Sequence, residues 1–289
     1  MASSNIKDIK RRIKSVESTM QITKAMELVA SSKLRKAKER ADNSSEYFKD
    51  VYQTVCKTAQ ESPQSIYTKQ PTGAKKVLYI VIAGDRGLAG GFNGNVLKTA
   101  QQDIDRIVAD NGEVLILPIG KKTVEYFERR EYTVVAKYTG IAEHLKIYDA
   151  QHISDVVMEL FNSGKINSVE LIYTKYVSPL LQEPHQMTLL PIPVTKPDKP
   201  LGYHMLTEFD PSPEEVFKML VPRYIADTVY CTIVESFASE QACRRNAMEN
   251  ATNNATEMID SLSLMYNRAR QSAITQEITE IVSGASSVD

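Results

Sequence analysis

The sequence predicts an α/β protein with a long antiparallel coiled coil of its N- and C-terminal helices plus a central α/β domain. Mainly apolar heptad rows occupy both ends of the chain, and strand patterns alternate with helix patterns between them. Heptad rows are typical of helices that pair along their length, whereas strand–helix alternation is typical of a mainly parallel sheet with helices on its faces. The predicted boundaries are residues 1–62, 75–195 and 212–289.

The N-terminal helix rests on one unbroken heptad frame. Its two rows run from Ile6 to Thr58, with polar interruptions at Thr23 and Glu27, and no glycine or proline precedes Pro63. Such a helix is far longer than the globular average of about 11–12 residues. We therefore expect it to pair with a second long helix.

The central domain begins with a buried strand at residues 75–84 and an amphipathic helix that ends at Gly112. Further strands are predicted at 113–120, 132–138, 168–176 and 185–194, and further helices at 121–130 and 149–166. The proline-rich segment TKPDKPLGYHMLTEFDPSPEE then leads back into the last helix.

The C-terminal helix carries a contact stripe in which small and large residues alternate. This predicted stripe consists of Ala251, Ala255, Met258, Leu262, Met265 and Ala269. The first fourteen residues of the chain hold five Lys or Arg and one Asp, whereas three acids and no Lys or Arg follow Arg270. Opposite charges at the two chain ends favour antiparallel pairing of the helices.

Composition excludes several classes of function. The formal net charge of −1, from 35 basic and 36 acidic side chains, gives no overall attraction to DNA or to an anionic membrane. The longest apolar run, VLYIVIA, is much shorter than the roughly 20 residues that cross a bilayer, and the N-terminus lacks the apolar core of a signal peptide. The three cysteines have no CxxC spacing, so we expect half-buried or buried thiols in a reducing compartment.

A glycine-rich segment, AGDRGLAGGFNGN at residues 83–95, lies where a dinucleotide-binding loop would lie. Its spacing is not GxGxxG, it has no Lys-Ser/Thr of a Walker loop, and the second strand ends without an acid to hold a ribose. We interpret the glycines as permitting a tight, closely packed turn, with nucleotide binding as the alternative. The four histidines are scattered and no GxSxG sequence is present, so we expect no catalytic site, cofactor or metal on this chain.

The segment QITKAMELVASSKLRKA, residues 21–37, is apolar on more than one helix face. Met20, Ala30 and Leu34 face the partner helix in the heptad frame. The apolar residues that point elsewhere are Ile22, Ala25, Met26, Leu28 and Val29. A helix that is apolar nearly all round must be buried on all sides, so we expect a partner outside the chain. The basic run KLRKAKER that overlaps it is either a solvated face or a ring of charge for acidic partners.

Four segments resemble the gamma subunit of F-type ATP synthases. They are ITKAMELVASSKLRKA, DRGLAGGFN, FASEQACRRNAM and YNRARQSAITQEITEIVSGA, in that order along essentially the whole chain. The resemblance implies a bacterial-type subunit in which a Rossmann-like domain that binds no nucleotide forms the foot of the coiled coil. It implies a non-catalytic central-stalk subunit of the proton-translocating ATP synthase. Such a rotor would couple rotation of the membrane c ring to conformational changes in the catalytic beta subunits.

The resemblance also implies the partners and their contact residues. Three alpha and three beta subunits would surround one copy of the shaft, the epsilon subunit and the c ring would contact the foot, and the complex would hold the chain at the cytoplasmic face of the bacterial plasma membrane. Met26 would bear on an apolar sleeve, and Lys33, Arg35 and Lys36 would meet an acidic lever region of the beta subunits.

Further implied contacts lie near the C-terminus and before the last helix. The catch segment RQSAITQE would make angle-dependent polar contacts through Arg270, Gln271, Thr275 and Glu277. Glu208 would contact partners of the foot, although Thr207 stands where the family's YEPDP-like motif has a tyrosine. The inserted cysteine pair of the chloroplast form is not seen in this sequence.

The residues alone leave two other classes of function. One is a coiled-coil scaffold or nucleic-acid adaptor with a non-nucleotide-binding α/β domain, and the other is a free-standing nucleotide-dependent enzyme with helical arms. The near-zero net charge and the apolar segment at 21–37 argue against the first, and the glycine spacing argues against the second.

Overall fold

The computed structural model of the chain describes residues 2–193 and 209–285. In chain order its elements are α1 (Ala2–Glu61), β1 (Lys76–Ile82), α2 (Phe92–Ala109), β2 (Glu113–Ile119), α3 (Lys121–Glu128), a 3-10 turn (Ala142–His144), α4 (Ile147–Asn162), β3 (Ser168–Tyr176), β4 (Gln182–Leu190) and α5 (Pro213–Ala285). Two compact units result, Met1–Ala30 with Arg244–Asp289, and Ser31–Cys243. The three-part division into helix, α/β domain and helix remains a prediction.

The first unit is a pair of antiparallel helical segments. The Thr23 and Thr252 hydroxyls are 2.8 Å apart, and the Thr256 hydroxyl donates to Met20 Sδ at 3.5 Å. Residue numbers fall on α1 as they rise on α5, so the segments run in opposite directions, as predicted. Ala30, only 1% exposed, shows how closely the seam packs.

The contact stripe of α5 differs from the prediction at two positions. Met258 and Met265 are each 54% exposed and do not lie in the seam. The inward-facing residues are Ala255, Ile259, Leu262, Tyr266, Ala269 and Ala273. Both stripes repeat every seven residues, but from Ala255 the observed stripe steps by four then three residues, whereas the predicted stripe steps by three then four. Since Met258 and Ile259 are adjacent and both apolar, their hydrophobicity alone did not identify the residue that faces α1.

The second unit is built on a four-stranded sheet in the order β2-β1-β3-β4. β1 is parallel to both β2 and β3, and β4 runs antiparallel to β3. β1 reads KVLYIVI, and all but its first residue are buried. A nearly continuous apolar run is expected for a central strand whose two faces are both covered.

Alternate residues of β1 enter two separate cores. Val77, Tyr79 and Val81 pack with residues of α2 on one face of the sheet. Leu78, Ile80 and Ile82 point to the opposite face, where they join residues of α4 and the α1 and α5 segments of this unit. The predicted mixed architecture, with helices on both sheet faces, is confirmed.

The strand predicted at 132–138 is wrong. The segment meets β2 only through isolated bridges at Val134 and Tyr138. The Val135 amide donates to the Ile116 carbonyl at 3.0 Å and the Tyr138 amide donates to the Pro118 carbonyl at 3.2 Å, so three residues of the segment span two of β2. The extra residue makes a bulge that interrupts the ladder.

The helices in the described ranges include none that is long and apolar enough to cross a membrane.

Candidate partner interface

The outward face of α1 carries a short apolar stripe. Ile22 and Val29 are 60% and 56% exposed, Ala25 is exposed, and Met26 is half-buried. Their spacing of three, one and three residues places all four on one side of the helix, away from the seam. Leu28, 62% exposed, lies on another side. Apolar side chains therefore do lie outside the seam, where burial by a partner would be favourable.

The polar interruptions of the heptad frame have partners within the first unit. Besides facing Thr252, the Thr23 hydroxyl donates to the Met20 carbonyl at 3.0 Å. Glu27 pairs with Lys24 at 3.1 Å, and its side chain is only 15% exposed. Because these polar groups are satisfied locally, they need no partner from outside the chain, whereas burial of the outward apolar stripe by a partner would be favourable.

The basic run divides into engaged and exposed side chains. Lys33 Nζ lies 2.7 Å from Glu143 Oε1, and Lys38 Nζ lies 4.9 Å from the centre of the Tyr176 ring. The hydrogen bond from Lys33 holds the pKa of Glu143 below its ordinary value. Arg35 and Lys36 are exposed. Of the three predicted contact cations, these two point outward, and Lys33 would have to share or leave Glu143 to reach a partner.

Arg40, the last cation of the basic run, and Glu143 make contacts that the sequence did not predict. The Arg40 guanidinium donates to the Leu145 carbonyl at 2.7 Å and to the Tyr230 hydroxyl at 3.2 Å. Arg40 follows Lys33 by seven residues, a spacing that places both on one side of a helix. The carbonyl and carboxylate that they meet come from a loop more than 100 residues away, for which the sequence carries no signal.

The C-terminal catch residues are all exposed. Gln271 and Thr275 border one shallow concavity, whereas Arg270 and Glu277, seven residues apart, lie together on a different side of α5. Large apolar side chains are also exposed on this part of the helix, namely Ile274, Ile278, Ile281 and Val282. The end of α5 thus offers both polar and apolar contacts.

One backbone donor of the glycine-rich loop, and two that lie beside it, are paired with side chains of the chain itself. The Gly84 amide donates to Asn93 Oδ1 at 2.8 Å. Asp85 Oδ1 accepts from the amides of Lys121 and Gly140, both at 2.9 Å. A Cβ on Gly84 would lie 2.8 Å from Glu240 Oε1, so this glycine permits close packing. These contacts favour the interpretation of the loop as a packed turn.

Two half-buried carboxylates, Glu170 on β3 and Asp103 on α2, likewise accept hydrogen bonds from neighbouring side chains. The Gln186 amide donates to Asp103 at 2.8 Å and to Glu170 at 3.2 Å. Tyr79 donates to Asp103 at 2.6 Å, and Thr188 donates to Glu170 at 2.8 Å. Burial raises the pKa of Glu170 and of Tyr79. Hydrogen bonds of this kind stabilise the contact between helix and sheet.

Other predicted features fall as follows. Glu208 lies outside the described residues. Cys56, Cys231 and Cys243 are half-buried, and no disulfide joins them within the described ranges. In that same part of the chain, no group of His, Cys, Asp and Glu side chains is arranged to hold a metal ion.

Comparison with known proteins identifies one family along nearly the whole chain. A family model described as ATP synthase matches residues 5–288. A Ruminococcus albus protein named ATP synthase gamma chain is 54% identical over 286 residues, covering 97% of this chain and 98% of that one. This chain belongs to the ATP synthase gamma family. The predicted resemblance to bacterial gamma subunits is confirmed.

A second relative of the gamma family bears on the transported ion. The Acetobacterium woodii protein named ATP synthase gamma chain, sodium ion specific, is 43% identical over 304 residues and covers 99% of each chain. Membership of the gamma family therefore does not by itself select the proton, and proton transport remains a prediction.

Solved structures show the same fold. A chain in the central stalk and c ring of the Tetrahymena thermophila mitochondrial ATP synthase aligns with a TM-score of 0.61 and 25% identity, over 80% of this chain and 99% of that one. A chain in the rotor of the Euglena gracilis enzyme has a TM-score of 0.66 at 18% identity, over 94% and 99%. The predicted function, a central-stalk subunit of an enzyme complex and not its catalytic chain, is confirmed by the gamma family.

Proposed function

We propose that this chain is the rotating shaft of a bacterial ATP synthase, with one copy inside a ring of three alpha and three beta subunits. Rotation of the membrane c ring would turn the shaft and change the conformations of the beta subunits, where ATP is made or split. The observation that carries the proposal is the outward apolar stripe at Ile22, Ala25, Met26 and Val29 in a chain of the gamma family.

The outward apolar stripe has the chemistry expected of a surface that rotates against a partner. A surface that must turn against a sleeve needs many weak, non-directional dispersion contacts, each about 0.1–0.2 kcal/mol per atom pair. Directional hydrogen bonds would instead add a barrier at each angle where they form. Two polar residues within this segment, Thr23 and Glu27, have partners within the chain and do not compete for the sleeve.

Polar contacts at other positions along the shaft would transmit its rotation to the beta subunits. Arg35 and Lys36 are exposed and would meet acidic side chains of the beta subunits, joined by Lys33 when it leaves Glu143. At the end of α5, Gln271 and Thr275 face a different side from Arg270 and Glu277. Different angles would therefore present different donors and acceptors.

Because the shaft differs from side to side, its rotational angle would set the nucleotide affinity of each beta subunit. Each beta subunit would meet a different side of the shaft, and contacts that favour one conformation over another shift its population. Three conformations with different affinities for ADP, phosphate and ATP follow from three orientations. The chain itself would supply no catalytic group.

The α/β domain would form the foot of the shaft. We infer contacts with the epsilon subunit and the c ring there, with Glu208 among the contact residues. These partners would hold the chain at the cytoplasmic face of the plasma membrane as a peripheral subunit.

Reconstitution tests the proposal. The chain is mixed with purified alpha and beta subunits of the same enzyme, the mixture is separated by size exclusion, and ATP hydrolysis is assayed across the peaks. We expect one copy of the chain to elute with a six-subunit ring that shows multisite turnover. Elution of the chain apart from an intact ring would contradict the proposal and would favour a scaffold role.

A further inference from the structure

Residues 138–146, here called the connector, are anchored at their first end to the α/β domain. The Gly120 amide donates to the Tyr138 carbonyl at 2.7 Å, and the Gly140 amide donates to Asp85 Oδ1 at 2.9 Å. That same oxygen accepts from the Lys121 amide at the start of α3. Hydrogen bonds to the ends of β1 and β2 thus hold the first half of the connector in place.

The second half of the connector holds α1. Glu143 forms the 2.7 Å ion pair with Lys33, and the Leu145 carbonyl accepts the 2.7 Å hydrogen bond from Arg40. The Leu145 side chain is only 3% exposed and packs in the core that includes α4. Arg40 also donates to Tyr230 on α5, so one guanidinium joins the connector to both helices.

These contacts lie along one half of the circumference of α1 within the second unit. Lys33 and Arg40 lie on one side, and Lys38 lies on another, over the Tyr176 ring. Between them, Leu34 and Ala37 pack with Ala238 and Ala242. The apolar contacts resist separation of the helices but are not directional, whereas hydrogen bonds and ion pairs away from the helix axis resist rotation of α1 about that axis.

We propose that Lys33 and Arg40 are positioning residues that fix the rotational angle of α1 on the α/β domain through the connector. In a rotor, they carry torque between the domain and the helix. This inference rests on the proposed function, since torque matters only if the chain turns. It also gives Lys33 a second role that competes with its predicted contact to beta subunits.

Exchange of the two charges separates these roles of Lys33. In K33E/E143K the ion pair is rebuilt with opposite polarity, but the charge that an acidic beta subunit would meet is reversed. If Lys33 serves the connector, the double variant restores what K33E loses. If Lys33 serves only the ring, the double variant stays as impaired as K33E.

The experiment measures torsional stiffness of the shaft in the whole complex. The catalytic ring is fixed to a surface and stalled, a bead is attached to the α/β domain, and the angular variance of the bead is recorded. The variants are E143Q, R40Q, K33E and K33E/E143K, with E39Q as the control because Glu39 is an exposed carboxylate on the same helix. A thermal melt of each variant shows whether it folds. If R40Q does not fold, E143Q and the charge-exchange variant K33E/E143K still test the inference.

We expect K33E to raise the angular variance roughly twofold, because it removes a directional contact away from the axis of α1, and E143Q to raise it less, because its amide oxygen can still accept from Lys33. K33E/E143K should return to the wild-type variance and E39Q should not change it. Unchanged variance in K33E, an equal rise in E39Q, or no recovery in the double variant would overturn the inference. A wild-type complex that does not rotate when ATP is supplied would overturn the proposed function, and this inference with it.

Discussion

At the residue scale, the outward side chains of α1 differ from those in the seam by the partners they have. Thr23 and Glu27 have hydrogen-bond partners within the chain, whereas Ile22 and Val29 are more than half exposed. The sequence predicted these outward apolar residues, because heptad position separates seam residues from the rest. It did not predict that Met26 would be half-buried, since this depends on how neighbouring side chains cover it.

Replacing Met26 by lysine should reduce energy coupling more than ATP hydrolysis. The new ammonium would pair with carboxylates of the ring at particular angles, adding a contact of about 1 kcal/mol that holds the shaft there. Ion pumping per ATP hydrolysed, measured in vesicles containing the whole enzyme, checks this. The control is Met26→Leu, which keeps the apolar contact. Equal loss of pumping and hydrolysis would contradict the proposal that the outward apolar stripe turns against the ring through apolar contacts.

The Lys33–Glu143 pair should contribute to stability in a pH-dependent way. The ion pair lowers the pKa of Glu143 in the folded protein, so its contribution is fully present above the unfolded pKa of about 4.3 and is lost as the pH falls through the folded value. The Glu143 side chain is 42% exposed, so solvent screening limits the contribution to less than about 1 kcal/mol.

Urea unfolding of wild type and E143Q at several pH values checks this dependence. We expect wild type to be the more stable of the two at neutral pH, and the difference to vanish in acid below the folded pKa. A difference that grows as the pH falls would have the wrong sign for an ion pair.

At the element scale, hydrophobic periodicity predicted where the long helices lie and how they run. It was less successful at predicting which of their residues face the seam. The heptad rows gave a helix at 1–62, and α1 runs from Ala2 to Glu61. They failed at Met258 and Met265, because each has an apolar neighbour that could equally face the seam. The strand at 132–138 failed for another reason: its residues have strand propensity, but the ladder to β2 breaks at a bulge that only pairing geometry reveals.

The seam should tolerate no larger side chain at Ala255. This residue is 5% exposed, and Ala255→Leu would push the helices apart at a cost of about 1–3 kcal/mol. Met258→Leu, at an exposed position three residues away, should change stability by less than about 0.5 kcal/mol. Thermal unfolding followed by helical circular dichroism compares the two. If Met258→Leu lost more stability than Ala255→Leu, Met258 would lie in the seam, as the sequence predicted.

Gly120 should not tolerate a side chain at the end of β2. Its φ is +98°, and a Cβ there would lie 2.0 Å from the Ala83 carbonyl oxygen. Gly120→Ala should therefore destabilise the protein by more than about 3 kcal/mol, or prevent folding. Gly87→Ala is the matched control, because no atom lies within 4 Å of the added Cβ. Comparable soluble yield and melting temperature for both variants would contradict this account of the turn.

At the scale of the whole molecule, function follows from which surfaces the two units leave uncovered. The sequence predicted the outward stripe and the catch residues, because both lie on long helices whose faces can be read from spacing. It did not predict the contacts of Arg40 with Leu145 and Tyr230, because tertiary folding brings together residues 105 and 190 positions apart. Such contacts depend on sheet order and loop path, which local periodicity does not specify.

Single-molecule rotation tests the central claim most directly. The alpha and beta ring is fixed to a surface, and a bead is attached to the α/β domain through a cysteine introduced at Asp110, an exposed residue after α2. When ATP is supplied, the account predicts rotation in one direction with three pauses per turn, one for each beta subunit. A bead that stays still or diffuses without direction, while the same complexes hydrolyse ATP, would contradict the claim that this chain is the shaft.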